Sequence, residues 1–112
     1  MIEADFATAA MSLPEAIESS HHGARDWRVR KKIFATYDAA TGTAGLKLTP
    51  EQQGLVMDAS PAFFAANGSW GAKGWTKATV LGAPDIDLIA ALRMSWINTA
   101  PKTLARTLED EK

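Results

Sequence analysis

The fold is decided at residues 27–37, where the chain reads WRVRKKIFATY. Two runs rich in aromatic and β-branched residues, 27–29 and 32–37, flank a charged pair, and this pattern is typical of two antiparallel strands. The turn between them would be Arg30-Lys31. A two-residue hairpin turn prefers Gly or Asn because its central residues need positive φ. Either this turn is therefore longer than two residues, or its backbone is strained.

Further elements are predicted on both sides of this hairpin. Residues 3–11 carry apolar side chains at helical spacing, and Pro14 closes the pattern, so we expect a helix there. Residues 16–22 are predicted to be extended. Downstream, residues 39–45 form a loop of small and polar residues. Residues 45–48 have the alternating pattern that is typical of a strand, so we predict a third strand there.

A helix start is clear at residues 49–52, TPEQ. The threonine is the cap, the proline occupies the first helical position, and the glutamine three residues after the cap completes a capping box. We expect this helix to run to about residue 59. Phe63 and Phe64 follow it and are both expected in the core.

The last long helix is predicted to begin at Pro84-Asp85, because acidic residues are favourable near a helix N-terminus, and to stop at Pro101. Leu88, Leu92 and Trp96 form one apolar stripe at helical spacing, which is typical of a core-facing surface. A strand at residues 75–80 precedes this helix. The order of elements predicts an α+β fold, with helices packed on one face of an antiparallel sheet.

The composition bounds the protein's class. A chain of 112 residues is one domain, residues 1–112, and its net charge of −1 argues mildly against a dedicated nucleic-acid binder. Without cysteine it has no disulfide or thiolate chemistry. No apolar run approaches the roughly 20 residues of a membrane span, and the N-terminus does not resemble a signal peptide. We therefore expect a cytoplasmic monomer with no membrane contact and no cofactor.

A second unusual segment lies at residues 68–75, GSWGAKGW. Three glycines and two tryptophans in eight residues are not expected in an ordinary helix or strand, so we predict an irregular loop. Trp75 is expected to begin a core strand, since a tryptophan buries a large area. Trp70 could instead stack on a base, and Lys73 could contact phosphate. Residues 71–74 also match the GxxG loop of KH domains, but weakly, because a strand is expected to follow.

Three stretches together carry a family resemblance: residues 26–36, residues 45–50, and the segment from Gly74-Trp75-Thr76 through the late helix to residues 100–104, APKTL. In this order they resemble the YjbR/MmcQ family of small bacterial proteins, over residues 13–104. The resemblance implies a frataxin-like (CyaY-like) α/β sandwich. It also implies DNA binding, since the family is commonly labelled a double-wing DNA-binding motif.

The charge distribution gives this implication candidate residues. Five of the twelve cationic residues fall within residues 25–32. In the functional interpretation, the hairpin is a wing whose cations meet phosphates, and the Gly/Trp segment is a second wing. The candidate nucleic-acid-binding residues are Arg28, Arg30, Lys31, Lys32, Lys73 and Trp70. In the alternative interpretation, the cluster is solvated and protects a sheet edge.

Other functions find less support in the sequence. A protein-interaction or small-ligand module centred on Trp70 is the main alternative to DNA binding. His21-His22 would point to opposite faces of a strand and could not share one metal ion, so no metal site is expected, although Glu18 or Asp26 could join one of the rings. The acidic residues of the first helix are too sparse for a frataxin-type iron site. We expect no enzymatic activity, because no nucleophile–base pair can be nominated.

Overall fold

The computed structural model describes residues 1–109. In this range the chain forms a six-stranded antiparallel sheet and five helices, which confirms the α+β class. The strands are β1 (Ile17–His21), β2 (Ala24–Val29), β3 (Lys32–Asp38), β4 (Thr43–Lys47), β5 (Phe63–Ala65) and β6 (Trp75–Thr79). The helices are α1 (Glu3–Met11), α2 (Pro50–Ala59), α3 (Gly68–Ala72), α4 (Asp85–Thr99) and α5 (Lys102–Glu109). The strand order is β1-β2-β3-β4-β6-β5.

The β2–β3 hairpin has the tight turn that its sequence disfavours. Val29 pairs with Lys32, so Arg30 and Lys31 are the only two turn residues. Their φ angles are 50° and 70°, in the left-handed region where a side chain is costly. Of the two alternatives the sequence left open, the strained two-residue turn is the one observed.

One face of the sheet packs on α1 and α4. The Phe6 ring meets the Trp27 ring edge-on, with centroids 5.4 Å apart. The predicted stripe Leu88, Leu92 and Trp96 is buried, which confirms it as core. Ser95 ties α4 to the sheet, since its hydroxyl donates to the Phe34 carbonyl and accepts from the Lys47 amide. The frataxin-like sandwich that the family resemblance implies stays a prediction.

The opposite face, which we call the open face, carries the alternate residues of each strand. One cross-strand row runs through Asp26, Thr36, Gly45, Lys77 and Phe64. The strand alternation explains why one core prediction was wrong. Phe63 is buried, but its neighbour Phe64 points to the open face and is 42% exposed.

The Gly/Trp segment is not the irregular loop that was predicted. Residues 68–72 form the short helix α3, and only its ends are irregular. Gly74 explains the glycine requirement at the exit from the helix: its φ is +113°, and a Cβ there would lie 2.0 Å from the Leu48 carbonyl oxygen. The strand β6 follows directly, so the GxxG sequence lacks the context of a KH loop.

The helix α2 begins as predicted. The Thr49 hydroxyl accepts a hydrogen bond from the Gln52 amide at 3.1 Å, and the Gln52 side chain accepts one from the Thr49 amide at 3.0 Å. The next residue, Gln53, donates to the carbonyls of Gly71 and Trp75. This helix therefore anchors the middle and the end of the segment 68–75, which carries Trp70 and Trp75. Among the described residues, no helix is long and apolar enough to cross a membrane.

Candidate functional site

The open face holds a cavity of about 410 Å³. Its walls are largely apolar and come from Ile33, Trp70, Trp75 and Ala66. Its polar groups come from His21, Thr36, Asn67 and Lys77. A concave, mostly apolar space with a few polar groups is the usual form of a small-ligand site.

The rim of this cavity is aromatic and basic. Trp70 projects from α3 and is 61% exposed. Its ring meets that of Trp75 edge-on, with centroids 6.3 Å apart. The Lys73 ammonium lies 5.5 Å from the Trp70 ring centroid, within the range of a cation–π contact. Trp75 begins β6 as predicted, and its half-buried ring also lines the cavity.

The floor of the cavity is kept open by Gly45. This buried glycine lies beside Thr36 on the neighbouring strand. A Cβ at residue 45 would lie 2.4 Å from the Thr36 hydroxyl oxygen, well inside van der Waals contact. The glycine therefore permits Thr36 to keep its hydroxyl in the centre of the open face.

A buried acid–histidine pair borders the cavity. The Asp26 carboxylate has no solvent exposure, and its Oδ2 lies 2.6 Å from His21 Nδ1. Arg28 Nε donates to Asp26 Oδ1 at 2.8 Å, and Arg28 Nη2 donates to Oδ2 at 3.1 Å. Burial favours the protonated acid, but the hydrogen bonds from Arg28 and His21 outweigh it and lower the pKa of Asp26.

This arrangement fixes how His21 can interact. An ionised carboxylate can only accept hydrogen bonds, so the proton of the neutral imidazole lies on Nδ1. The other ring nitrogen, Nε2, is then an acceptor on a side chain that lines the cavity. No residue in the range 1–109 forms a hydrogen bond with Nε2, although the His22 ring packs edge-on at 5.7 Å.

Sequence reasoning weighed Asp26 beside the histidines only as a metal ligand and missed this pair. The missing signal was the β1–β2 turn, because a tight turn at His22-Gly23 brings His21 back toward β2. Within the described residues, no group of three His, Cys, Asp or Glu side chains could hold a metal ion.

Two of the six candidate nucleic-acid-binding residues form ion pairs with carboxylates of the protein. Arg28 is paired with Asp26, as described above. Arg30 pairs with Glu15 through two contacts, from Nε at 2.6 Å and from Nη2 at 3.0 Å. These bonds lower the pKa of Glu15 and raise that of Arg30.

The other candidates are exposed and lie at one end of the sheet. Lys31, Lys32 and Lys73 form no ion pair with residues 1–109. The hairpin tip leads into the start of β3, and the pairing of β3 with β4 and of β4 with Trp75 puts the start of β6 at that same end. The hairpin tip and the two tryptophans therefore lie at the same end of the sheet.

These features define a class: an α+β protein whose antiparallel sheet buries one face under helices and carries an aromatic, basic cavity on the other. Within this class, the chain belongs to the YjbR family, whose model matches residues 11–97. The resemblance inferred from the sequence is thereby confirmed.

A solved structure shares the fold. The crystal structure of Deinococcus radiodurans protein DR2400, which has a DUF419 domain, superposes with a TM-score of 0.74 at 21% sequence identity. The alignment covers 87% of this chain and 77% of that one. At this identity the likeness concerns the fold alone. Comparison with curated proteins finds no match.

Proposed function

We propose that this protein is a non-enzymatic nucleic-acid-binding protein that takes single-stranded DNA on the open face of its sheet. The observation that supports this function best is the exposed Trp70 ring, with the Lys73 ammonium beside it and an open cavity next to it. Aromatic side chains interleaved with cations are the usual means of holding a single strand.

The physical basis is stacking combined with phosphate contact. A base stacked on an exposed aromatic ring contributes about 1–3 kcal/mol, and every base has a face that can stack. Lys73 on the rim and Lys77 on the open face are suited to neighbouring phosphates. Stacking on a protein ring needs unpaired bases, so this mode favours a single strand over a duplex.

The duplex wing mode has less support. A wing would use the arginines of the β2–β3 hairpin, but Arg28 and Arg30 already have carboxylate partners. Moving Arg28 to a phosphate would remove one of the two partners of the buried Asp26 carboxylate, and moving Arg30 would break its surface ion pair with Glu15. Lys31 and Lys32 form no ion pair with residues 1–109. Lys32 pairs with Val29, whose side chain is buried on the helix side of the sheet, so Lys31 is the hairpin lysine better placed to extend the phosphate contacts of a DNA strand on the open face.

A binding role also fits the acid–histidine pair better than a nucleophilic reaction does. Activation of a nucleophile requires a hydroxyl or thiol within hydrogen-bond reach of the base. No hydroxyl of residues 1–109 hydrogen-bonds to His21. The pair is therefore better suited to holding a ligand than to generating a nucleophile.

The test is fluorescence anisotropy of a labelled 12-nucleotide single strand and of the matching duplex, at about 50 and 200 mM salt, where counterion release weakens electrostatic binding. We expect stronger binding of the single strand, a loss of about tenfold for Trp70→Ala, and partial retention for Trp70→Phe. Lys73→Ala should also weaken binding. Lys102→Ala removes a comparable charge from α5, which packs on α4 away from the open face, and should change nothing.

Two outcomes would refute this proposal. One is the absence of salt-sensitive binding to either probe. The other is binding that Trp70→Ala and Lys73→Ala leave intact while the charge reversal Arg30→Glu with Lys31→Glu abolishes it, which would restore the wing mode. The exposed pair Trp70 and Phe64 on one face also favours a second candidate, a protein-interaction surface. In that case Trp70→Ala would abolish capture of the protein partner and the charge reversal would not.

A further inference from the structure

We infer that the cavity beside Trp70 is a pocket for one nucleobase, in which the base lies against Trp75 and Ile33 and donates a hydrogen bond to His21 Nε2. This inference rests on the proposed function and names the part of the ligand that the cavity takes. The same chemistry is present in a free nucleotide and in one residue of a strand, and the experiment separates the two.

The shape of the cavity supports a flat ring. Its volume of about 410 Å³ is at the small end of the range for ligand pockets, roughly 300–1,000 Å³. Two of its walls are the indoles of Trp70 and Trp75, set nearly perpendicular at 82°. One indole can therefore stack on a ring while the other meets its edge, which are the two favourable aromatic geometries. Gly45 leaves the floor free of a side chain.

The polar groups fit the edge of a base. Every base carries at least one N–H donor and several acceptors on its edges. His21 supplies an acceptor whose tautomer is fixed by Asp26. Thr36 and Asn67 can each donate or accept, and both line the same cavity. An apolar ring without N–H groups would leave these side chains without partners, so the site favours a heteroaromatic ring.

The charge around the cavity fits a phosphate outside it. Lys77 lines the cavity, and Lys73 lies on the rim beside Trp70. Among residues 1–109 no carboxylate lines the cavity. The Asp26 carboxylate, which is bonded to the lining residue His21, is fully buried and also bonded to Arg28. A phosphate linked to a bound base would therefore lie near two lysine ammonium groups.

The experiment titrates the protein with each of the four deoxynucleoside 5′-monophosphates, with deoxyribose 5-phosphate as a control that lacks a base. Calorimetry gives the affinity. The amide NMR signals of Gly45 and Thr36 report on the cavity floor. A DNA strand that contacts only Trp70 would not reach this floor. We expect at least one nucleotide to bind and shift these floor signals, and the control sugar phosphate to leave them unmoved.

Two variants test the pocket in different ways. His21→Ala removes the acceptor and should weaken binding of that nucleotide about tenfold. Ile33→Trp fills the cavity, leaves the His21–Asp26 pair intact, and should abolish the floor shifts while the folded spectrum is retained. Thr8→Ala on α1, remote from the open face, is the matched control and should bind like the parent protein.

The outcomes separate this inference from the proposed function. If nucleotides bind and shift the floor while the 12-nucleotide strand does not bind, the pocket takes a free nucleotide and only the proposed function fails. If the strand binds but the Gly45 and Thr36 signals stay unmoved, and both variants bind normally, the pocket is refuted and the proposed function stands. If neither ligand binds, both are refuted.

Discussion

Glu15 holds the guanidinium of Arg30, the arginine of the hairpin turn, through two hydrogen bonds of 2.6 and 3.0 Å. The two residues are fifteen positions apart, and the contact joins the tip to the segment between α1 and β1. The ion pair places the Arg30 guanidinium near the proposed path of the DNA strand, but Glu15 competes with a phosphate for it.

Releasing this arginine should increase nucleic-acid affinity. In Glu15→Gln the carboxylate charge is lost and Arg30 becomes free to contact a phosphate. We expect a few-fold stronger binding of the 12-nucleotide strand, and a slope of log affinity against log salt that is steeper by about 0.7, the value for one added phosphate contact. Anisotropy titrations over a salt series would measure both.

The control for this effect is Glu51→Gln, which removes an exposed carboxylate from the first turn of α2. It changes the net charge equally and should leave the salt slope unchanged. An equal gain in both variants would mean that the effect is a general one of net charge, and that Arg30 has no direct contact with the strand.

The acid stability of the fold should depend on Asp26. Its pKa is lowered from the ordinary value of 3.8 in the folded protein, so the folded state binds fewer protons than the unfolded state at low pH. The stabilisation from this carboxylate is therefore complete above the ordinary pKa and is lost as the pH falls through the folded-state pKa. Glu15 and Glu18, whose pKa values are lowered by bonds from Arg30 and Arg25, add to the same trend.

The substitution Asp26→Asn measures how much the charge of this carboxylate contributes to the free energy of unfolding. At pH 7 we expect the variant to have a free energy of unfolding lower by about 2–4 kcal/mol, since it breaks a buried charged network. The difference from the parent protein should shrink as the pH falls below about 4, because protonated aspartic acid is also neutral. Urea unfolding at several pH values measures it, with Asp58→Asn on the surface of α2 as control. A difference that stays constant with pH would contradict the role of the charge.

The turn at the hairpin tip should tolerate glycine better than its own lysine. Lys31 has φ of 70°, and a side chain in this region costs roughly 1–2 kcal/mol, of which the greater entropy of unfolded glycine offsets part. Lys31→Gly should therefore raise the free energy of unfolding by about 0.5–1 kcal/mol. Lys32→Gly, one residue further and inside β3, should lower it instead. A loss of stability in both variants would show that the turn is not strained.

Much of the fold follows from local pattern. The aromatic and β-branched run at residues 32–37 and the TPEQ cap at residues 49–52 are local signals, and both elements form where predicted. The structure of segment 68–75 was predicted wrongly because its glycines are required by contacts with backbone that is distant in sequence. Gly74 passes close to Leu48, a contact that local pattern does not reveal, and with it the short helix α3 can form.

The candidate site was less predictable than the fold, for a related reason. Trp70 and Lys73 were recognised because they are close in sequence and both are exposed. The partners of Arg28 and Arg30 were not, because ion pairs depend on how strands and turns come together. Trp75 was expected to begin a core strand and does so, but the sequence did not indicate that strand parity places its ring on the open face beside Trp70. The cavity itself exists only once β3, β4 and β6 are side by side.

The floor of the cavity offers a last test, in which a second substitution should repair the first. Gly45→Ala puts a methyl group 2.4 Å from the Thr36 hydroxyl oxygen, and we expect a loss of about 1–3 kcal/mol from the free energy of unfolding, as for overpacking in a core. Thr36→Ala removes that oxygen. The double variant should therefore recover most of the loss, with a coupling energy of about 1 kcal/mol or more in a double-mutant cycle. Additive losses would show that the two side chains do not compete for this space, and that Gly45 is required for another reason.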